Sequence, residues 1–216
     1  MKLPAAVKVS VTVAGAGYGP EADVHIDGSA PTVVEMAQAA ARCGTGVARS
    51  EGAVWVARGD PMEAALDAFA RRVGVDIDAD RQTRPDAGKW PFDPRRRRMS
   101  VWLDDQIVVK GAPDSVVPRC PDADVSVAER IHAEMTGRGL RVLAIAERPA
   151  RAGEDVATPA DDVEHDLRLL GLIGLEDPPR PDVAQALELC RRAGVRVAMI
   201  TGDHPQTARA VADEVG

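Results

Sequence analysis

The chain has 216 residues, 45% of them hydrophobic, with 27 basic and 34 acidic side chains and a net charge of −7. Such a chain can bury a substantial core, which excludes a mainly disordered state, and its acidic balance excludes a domain that grips long nucleic acid through many phosphates. No run approaches the roughly 18 apolar residues of a membrane span, and Cys43, Cys120 and Cys190, odd in number and far apart, argue against a disulfide framework or a zinc site and fit a reducing compartment.

In chain order, "VKVSVTVAG" and "ADVHID" predict a hairpin whose long turn holds Gly15, Gly17 and Gly19. No helix opens after those glycines, so their likeness to a dinucleotide fingerprint is superficial. "APTVVEMAQAAARCG" predicts a helix of about three turns stopped at Gly44, and "GAVWVARGD" a strand. "DPMEAALDAFARRVG" predicts a helix with Asp60 as N-cap, Pro61 at the first position, Glu63 at the capping-box position and Gly74 as its stop. "RMSVWLD" and "QIVVKGAP" form a second hairpin through Asp104 and Asp105, followed by a helix in "SVAERIHAEMTGRG", a strand in "LRVLAIAE" and an exposed loop over 149–162. Hairpins mixed with helices imply an α+β layer built on an antiparallel sheet.

The grammar then changes. "LRLLGLIGLED" and "VRVAMITGD" are continuously apolar and alternate with helices in "PPRPDVAQALELCRRAG" and "HPQTARAVADEVG", the pattern of a parallel α/β unit. The boundary falls near Glu176, where prolines stiffen the connection. Two strands and two helices are too few for an open doubly wound sheet, so this second unit reads as cut off at Gly216.

Several residues suggest chemistry. Lys110, one of only four lysines, ends a strand before the sharp turn of Gly111 and Pro113; the plainer reading is a snorkelling edge lysine. Phe92 lies among prolines and charges, a poor core candidate, beside the run Arg95 to Arg98, where an aromatic face and guanidinium groups suit an adenine and its polyphosphate. Thr201, Gly202 and Asp203 stand where a strand meets a helix, the crevice in which α/β sheets hold anions.

Taken together, "GDPMEAAL", "FDPRRRRMS", "VKGAPD", "GLEDPPR" and "MITGDH" resemble, in that order and from about Ala53 to Gly216, the cytoplasmic region of P-type ATPases of the cation-pumping, calcium-like branch. The resemblance implies a nucleotide-binding domain over residues 1–175, an antiparallel sheet with flanking helices, and over 176–216 part of a haloacid-dehalogenase-like phosphorylation domain. Asp177, Pro178 and Pro179 match that family's hinge. It further implies that ATP is bound with Mg2+: Phe92 stacks on adenine, Glu63 lies at its edge, Lys110 and Gly111 form the pocket floor, Arg97 stands where a lysine is usual, and Arg141 reaches the phosphates. Thr201, Gly202 and Asp203 join once the domains close. Arg96 and Arg97 would be the charged lip of the pocket, with Arg95 and Arg98 solvated. For Glu63 and Arg141 the plainer readings are a capping-box residue and a sheet-face charge.

The sequence also departs from the family. Asp-Lys-Thr-Gly-Thr, with the aspartate that takes the γ-phosphoryl, and Gly-Asp-Gly-x-Asn-Asp, which serves magnesium, are absent, and Pro94 removes one phosphate-side contact. The expectation is an ATP-binding piece of a pump, inactive alone, with no metal site of its own, whose partners are the membrane domain, the actuator domain and the first half of the phosphorylation domain. It would lie at the cytoplasmic face of the membrane. The alternatives are a free-standing phosphatase, for which no nucleophilic aspartate is visible, and a regulatory or nucleic-acid-binding module using "RRRRMS" as a basic patch or phosphorylation site.

Overall fold

The computed structural model describes residues 10–14, 17–176, 182–200 and 205–216. A five-stranded antiparallel sheet organises it, with β5 (Asp86–Asp93), β6 (Arg98–Leu103), β7 (Gln106–Gly111), β8 (Arg141–Pro149) and β9 (Arg168–Leu175) in sequence order. Both its faces are covered. Because side chains alternate along a strand, Met99, Val101, Val108 and Ile145 face one layer while Ile107, Val109, Ala144 and Ala146 face the other.

The first layer is α1 (Ala30–Arg42), α2 (Pro61–Arg72) and α3 (Ile77–Thr83). The alanines of α1, buried at 37 and 39–41, allow it to lie close against the sheet and α2. Asp60 caps α2 by accepting from Glu63 N at 3.0 Å, and Gly74, at φ +89°, follows the helix end. Two small hairpins flank this layer: β1 (Ser10–Val13) with β2 (Val24–Asp27), and β3 (Val47–Glu51) with β4 (Val54–Arg58). The second layer contains α4 (Pro113–Val116), α5 (Val125–Gly137) and α6 (Ala160–Val163), packed on Trp90, Ile107 and Val109.

Two expectations change. "LRLLGLIGLED" does not open a parallel unit; it is β9, the antiparallel edge strand beside β8. After α7 (Val183–Arg192), residues 195–200 of "VRVAMI" form no strand, and Val195, Val197, Met199 and Ile200 stand exposed before α8 (Pro205–Val215). An apolar run gains strand geometry from the ladder of a neighbour, and among the described residues none pairs with this one. No described helix is long and apolar enough to cross a membrane.

Asp67 ties the first layer together. Fully buried on α2, it accepts from Ala48 N at 3.2 Å and Arg71 Nε at 2.8 Å, and Arg81 approaches at 2.6 Å in an ion pair too poorly angled for a hydrogen bond. Removing the carboxylate leaves the Ala48 amide unpaired and Arg81 with only the more distant Asp78, while Arg71 keeps its bidentate pair with Asp78, so Asp67→Ala is expected to lower unfolding free energy by about 2–3 kcal/mol, read as a shift in urea midpoint at constant slope.

Candidate functional site

Lys110 lies on β7, between Met99 of β6 and Ile145 of β8. At 3% exposure it is no snorkelling edge residue, and burying an ammonium requires a counter-charge. Glu63 supplies it: Lys110 Nζ donates to Oε1 at 2.9 Å. The other oxygen accepts from Thr45 N at 2.6 Å, Gly46 N at 2.9 Å and Thr45 Oγ1 at 3.2 Å. Glu63 is thus an acceptor of the preceding loop and of Lys110, not the reciprocal partner of its cap residue. Gly46 permits this approach, since a Cβ there would lie 2.4 Å from Asp60 O.

Burial alone would push the Glu63 carboxyl up. The Lys110 charge, the Thr45 amide, the Lys110 hydrogen bond and the Gly46 amide outweigh it and hold the group at about 2. Cys43, buried beneath β6 and β7, is pushed up by burial to about 12, so it stays a protonated packing thiol.

Phe92 reaches the same face through a bulge. Trp90 pairs with Ser100 and Asp93 with Arg98, so Pro91 and Phe92 together oppose Met99, whose partner on β7 is Lys110. Phe92 is 57% exposed and lines a shallow depression with Pro91, Asp93, Pro94, Arg95 and Arg96. Arg141 is exposed and shares the strand face of Leu143 and Ile145, about 13 Å along β8 from the Lys110 rung. Gly111 serves packing: a Cβ there would lie 2.4 Å from Arg98 Cβ and 2.6 Å from Arg97 O.

The arginine run is not one patch. Arg98, expected to be solvated, is 3% exposed and donates to Glu164 at 2.6 Å. Arg96 donates to both oxygens of the same carboxylate, at 2.6 and 2.5 Å, and Ser100, the candidate phosphorylation site, is fully buried and donates to it at 2.8 Å. Charge committed to a buried carboxylate is withdrawn from phosphates, which leaves Arg95 and Arg97 as the exposed members of the run, Arg95 as expected. Arg97 turns to solvent at φ +53°, paired at 2.8 Å with an exposed Asp114. Glu164 carries no motif, and Asp114, although it ends "VKGAPD", is given no role by it, so sequence reasoning missed both.

The structure therefore brings Glu63, Phe92, Lys110 and Arg141 to one sheet face and sets Gly111 and Arg97 beside them. Thr201, Gly202 and Asp203, like Asp177, Pro178 and Pro179, lie outside the described residues. No group of three or more His, Cys, Asp or Glu among the described residues is placed to hold a metal ion.

An antiparallel sheet between helical layers, with a carboxylate-paired lysine and an exposed phenylalanine on one rung, makes this an α+β domain. The chain matches the family described as P-type ATPase, cytoplasmic domain N, over residues 32–182, and belongs to it. It is 37% identical over 184 residues to the sodium/potassium exporting P-type ATPase cta3 of Schizosaccharomyces pombe, covering 79% of this chain and 18% of that protein. With the calcium-transporting ATPase of Bacillus subtilis it shares 35% identity over 228 residues, 94% of this chain and 25% of the relative. The cation-transporting ATPase pma1 of Synechocystis is 32% identical over the same shares. This chain therefore spans a quarter or less of the length of these relatives.

The Glu63 carboxyl is held below its ordinary 4.5 in the fold, so its stabilisation is complete above about pH 4.5 and lost as pH falls through about 2. Denaturant midpoints of parent and Glu63→Gln measured from pH 6 to 2 are expected to converge across that window, the parent losing up to about 3 kcal/mol that the variant never had.

Proposed function

We propose that this chain is the nucleotide-binding part of a cation-transporting P-type ATPase, and that it holds ATP on the sheet face shared by Phe92 and Lys110. The observation that carries the reading is an exposed phenylalanine on the rung of a buried, carboxylate-paired lysine. Adenine stacks on Phe92, with Glu63 at its edge and Lys110 and Gly111 as the floor. Arg97 and Arg141 meet the phosphates. Thr201, Gly202 and Asp203 complete the contact when a second domain closes.

Residues 1–175 form the nucleotide domain in this reading, Asp177, Pro178 and Pro179 the hinge, and 176–216 part of a haloacid-dehalogenase-like phosphorylation domain. The exposed apolar run 195–200 supports the last assignment, because a buried-type sequence calls for sheet neighbours. Mg2+ comes with the nucleotide as its phosphate complex. The phosphorylated aspartate belongs to another part of the pump, as do the membrane and actuator domains, and this chain alone forms no aspartyl phosphate.

One base stack contributes about 1–3 kcal/mol and an exposed charge about 1 kcal/mol or less, so ATP should bind with Kd of about 0.1 to a few mM. Calorimetric or NMR titration with ATP, with and without magnesium, is expected to show that affinity in the parent and a loss of about 5- to 150-fold in Phe92→Ala. Equal binding by parent and variant, or none by either, would overturn the assignment.

A further inference from the structure

Behind the Phe92 and Lys110 rung, on the opposite face of the sheet, lies a closed charge cluster. Arg98 of β6 pairs with Gly111 across the ladder while Met99 pairs with Lys110 of β7, so two adjacent rungs of the ladder send one cation inward on each side. Glu164, fully buried just after α6, receives Arg96 Nη1 on both oxygens, Arg98 Nε at 2.6 Å and Ser100 Oγ at 2.8 Å. The excess positive charge is met at the rim by Asp161, which pairs with Arg98 Nη2.

The cluster grips the turn that carries Phe92. Arg96 O accepts from Ser115 Oγ at 2.5 Å and from Arg98 Nη1 at 3.1 Å. The next residue, Arg97, is left-handed; its amide donates to Asp93 O at 2.6 Å and its carbonyl accepts from Ala112 N at 2.9 Å. A non-glycine residue in that region is held only where its surroundings over-determine it. Arg97 O and Arg98 also close on Gly111, leaving the turn no room to slide along β7.

We infer that Glu164 is a positioning residue for the nucleotide site: through Arg96 and Arg98 it fixes the 93–97 turn, and with it the placement of Phe92 relative to Lys110, without itself facing the nucleotide. This rests on the ATP-binding reading above. Glu164 is the point at which a loop 64–68 residues further along the chain sets the geometry of the site.

Glu164→Gln keeps the shape of the side chain but removes the charge that both guanidinium groups share. Two readouts are taken on the intact chain. Hydrogen exchange at Arg97 N and Ala112 N is expected to accelerate at least about 10-fold more than at β8 amides, which report global stability. ATP titration should show Kd raised about 5- to 20-fold, and adding Phe92→Ala to Glu164→Gln should cost clearly less than Phe92→Ala alone, since the stack is already misplaced. Ser115→Ala, which removes the donor to Arg96 O and an acceptor of Arg98 Nη1 but leaves the Glu164 charge in place, should move both readouts the same way by less, and it decides the matter if Glu164→Gln does not fold. Uniform exchange acceleration, or an unchanged Kd beside a lowered melting temperature, would make Glu164 a purely structural residue and overturn the inference. Failure of the parent to bind ATP sinks the functional reading instead, while the exchange pattern still decides whether Glu164 holds the turn.

Discussion

Lys110 enters the interior of a sheet as a cation, and the structure around it is arranged to make that tolerable. A lone buried ammonium would cost several kcal/mol, so a carboxylate must come from outside the sheet, and Glu63 brings the start of α2 and the 44–46 loop with it. One rung away Arg98 imposes the same demand on the other face, and Glu164 answers it from beyond α6. Both helical layers are therefore tied to β6 and β7 through charge, and the ties meet where Phe92 and Gly111 lie. Replacing a buried ion pair by well-packed apolar groups is often neutral or stabilising. Stability alone thus does not account for two such pairs back to back, and in the proposed nucleotide site their role is to fix the register of β6 and β7.

Phe92 shows the complementary departure. Burying a phenylalanine is worth about 1.5–3 kcal/mol, yet the bulge at Pro91 and Phe92 leaves the ring largely in solvent while Trp90, two residues earlier, packs inside the second core and stacks on Trp102 at 6.3 Å. An edge strand is where a proline and a bulge are tolerated, because β5 needs its ladder on one side only. The exposed ring and the buried indole belong to one device that anchors the strand while presenting its aromatic outward.

What could be read in the sequence followed from local rules. The Asp60 and Pro61 start of α2, the alternation of β6 and β7 around Asp104 and Asp105, and the alanine-rich face of α1 all act over a few residues and appear as expected. β5 was hidden because Gly88 and Pro91 break its pattern, and β3 because its "VARSE" is mostly polar on a small exposed hairpin. The apolar run 195–200 states a preference for burial but not the partner that would satisfy it. The arginine run misled for the same reason: nothing within four adjacent arginines reveals that a carboxylate more than sixty residues away claims two of them. Glu63 and Lys110 were legible as candidates through the resemblance, while their direct pairing was not.

Partner strength then decides which arginine can serve an anion. Arg96 and Arg98 face a carboxylate with no solvent exposure, where screening is absent and separation leaves an uncompensated buried charge. Arg97 and Asp114 are each more than half exposed, and such a pair is worth about 0–1 kcal/mol. In the proposed nucleotide site Arg97 is therefore the residue that can give up its partner for a polyphosphate, which offers more charge and bidentate oxygens, while Arg96 and Arg98 are not. The left-handed backbone of Arg97 points the same way, since it turns that one side chain out of a sheet whose neighbouring residues are locked inward. Four identical side chains in a row are thereby sorted by depth, Arg96 and Arg98 holding the turn while Arg95 and Arg97 stay exposed, Arg97 with a partner it can exchange.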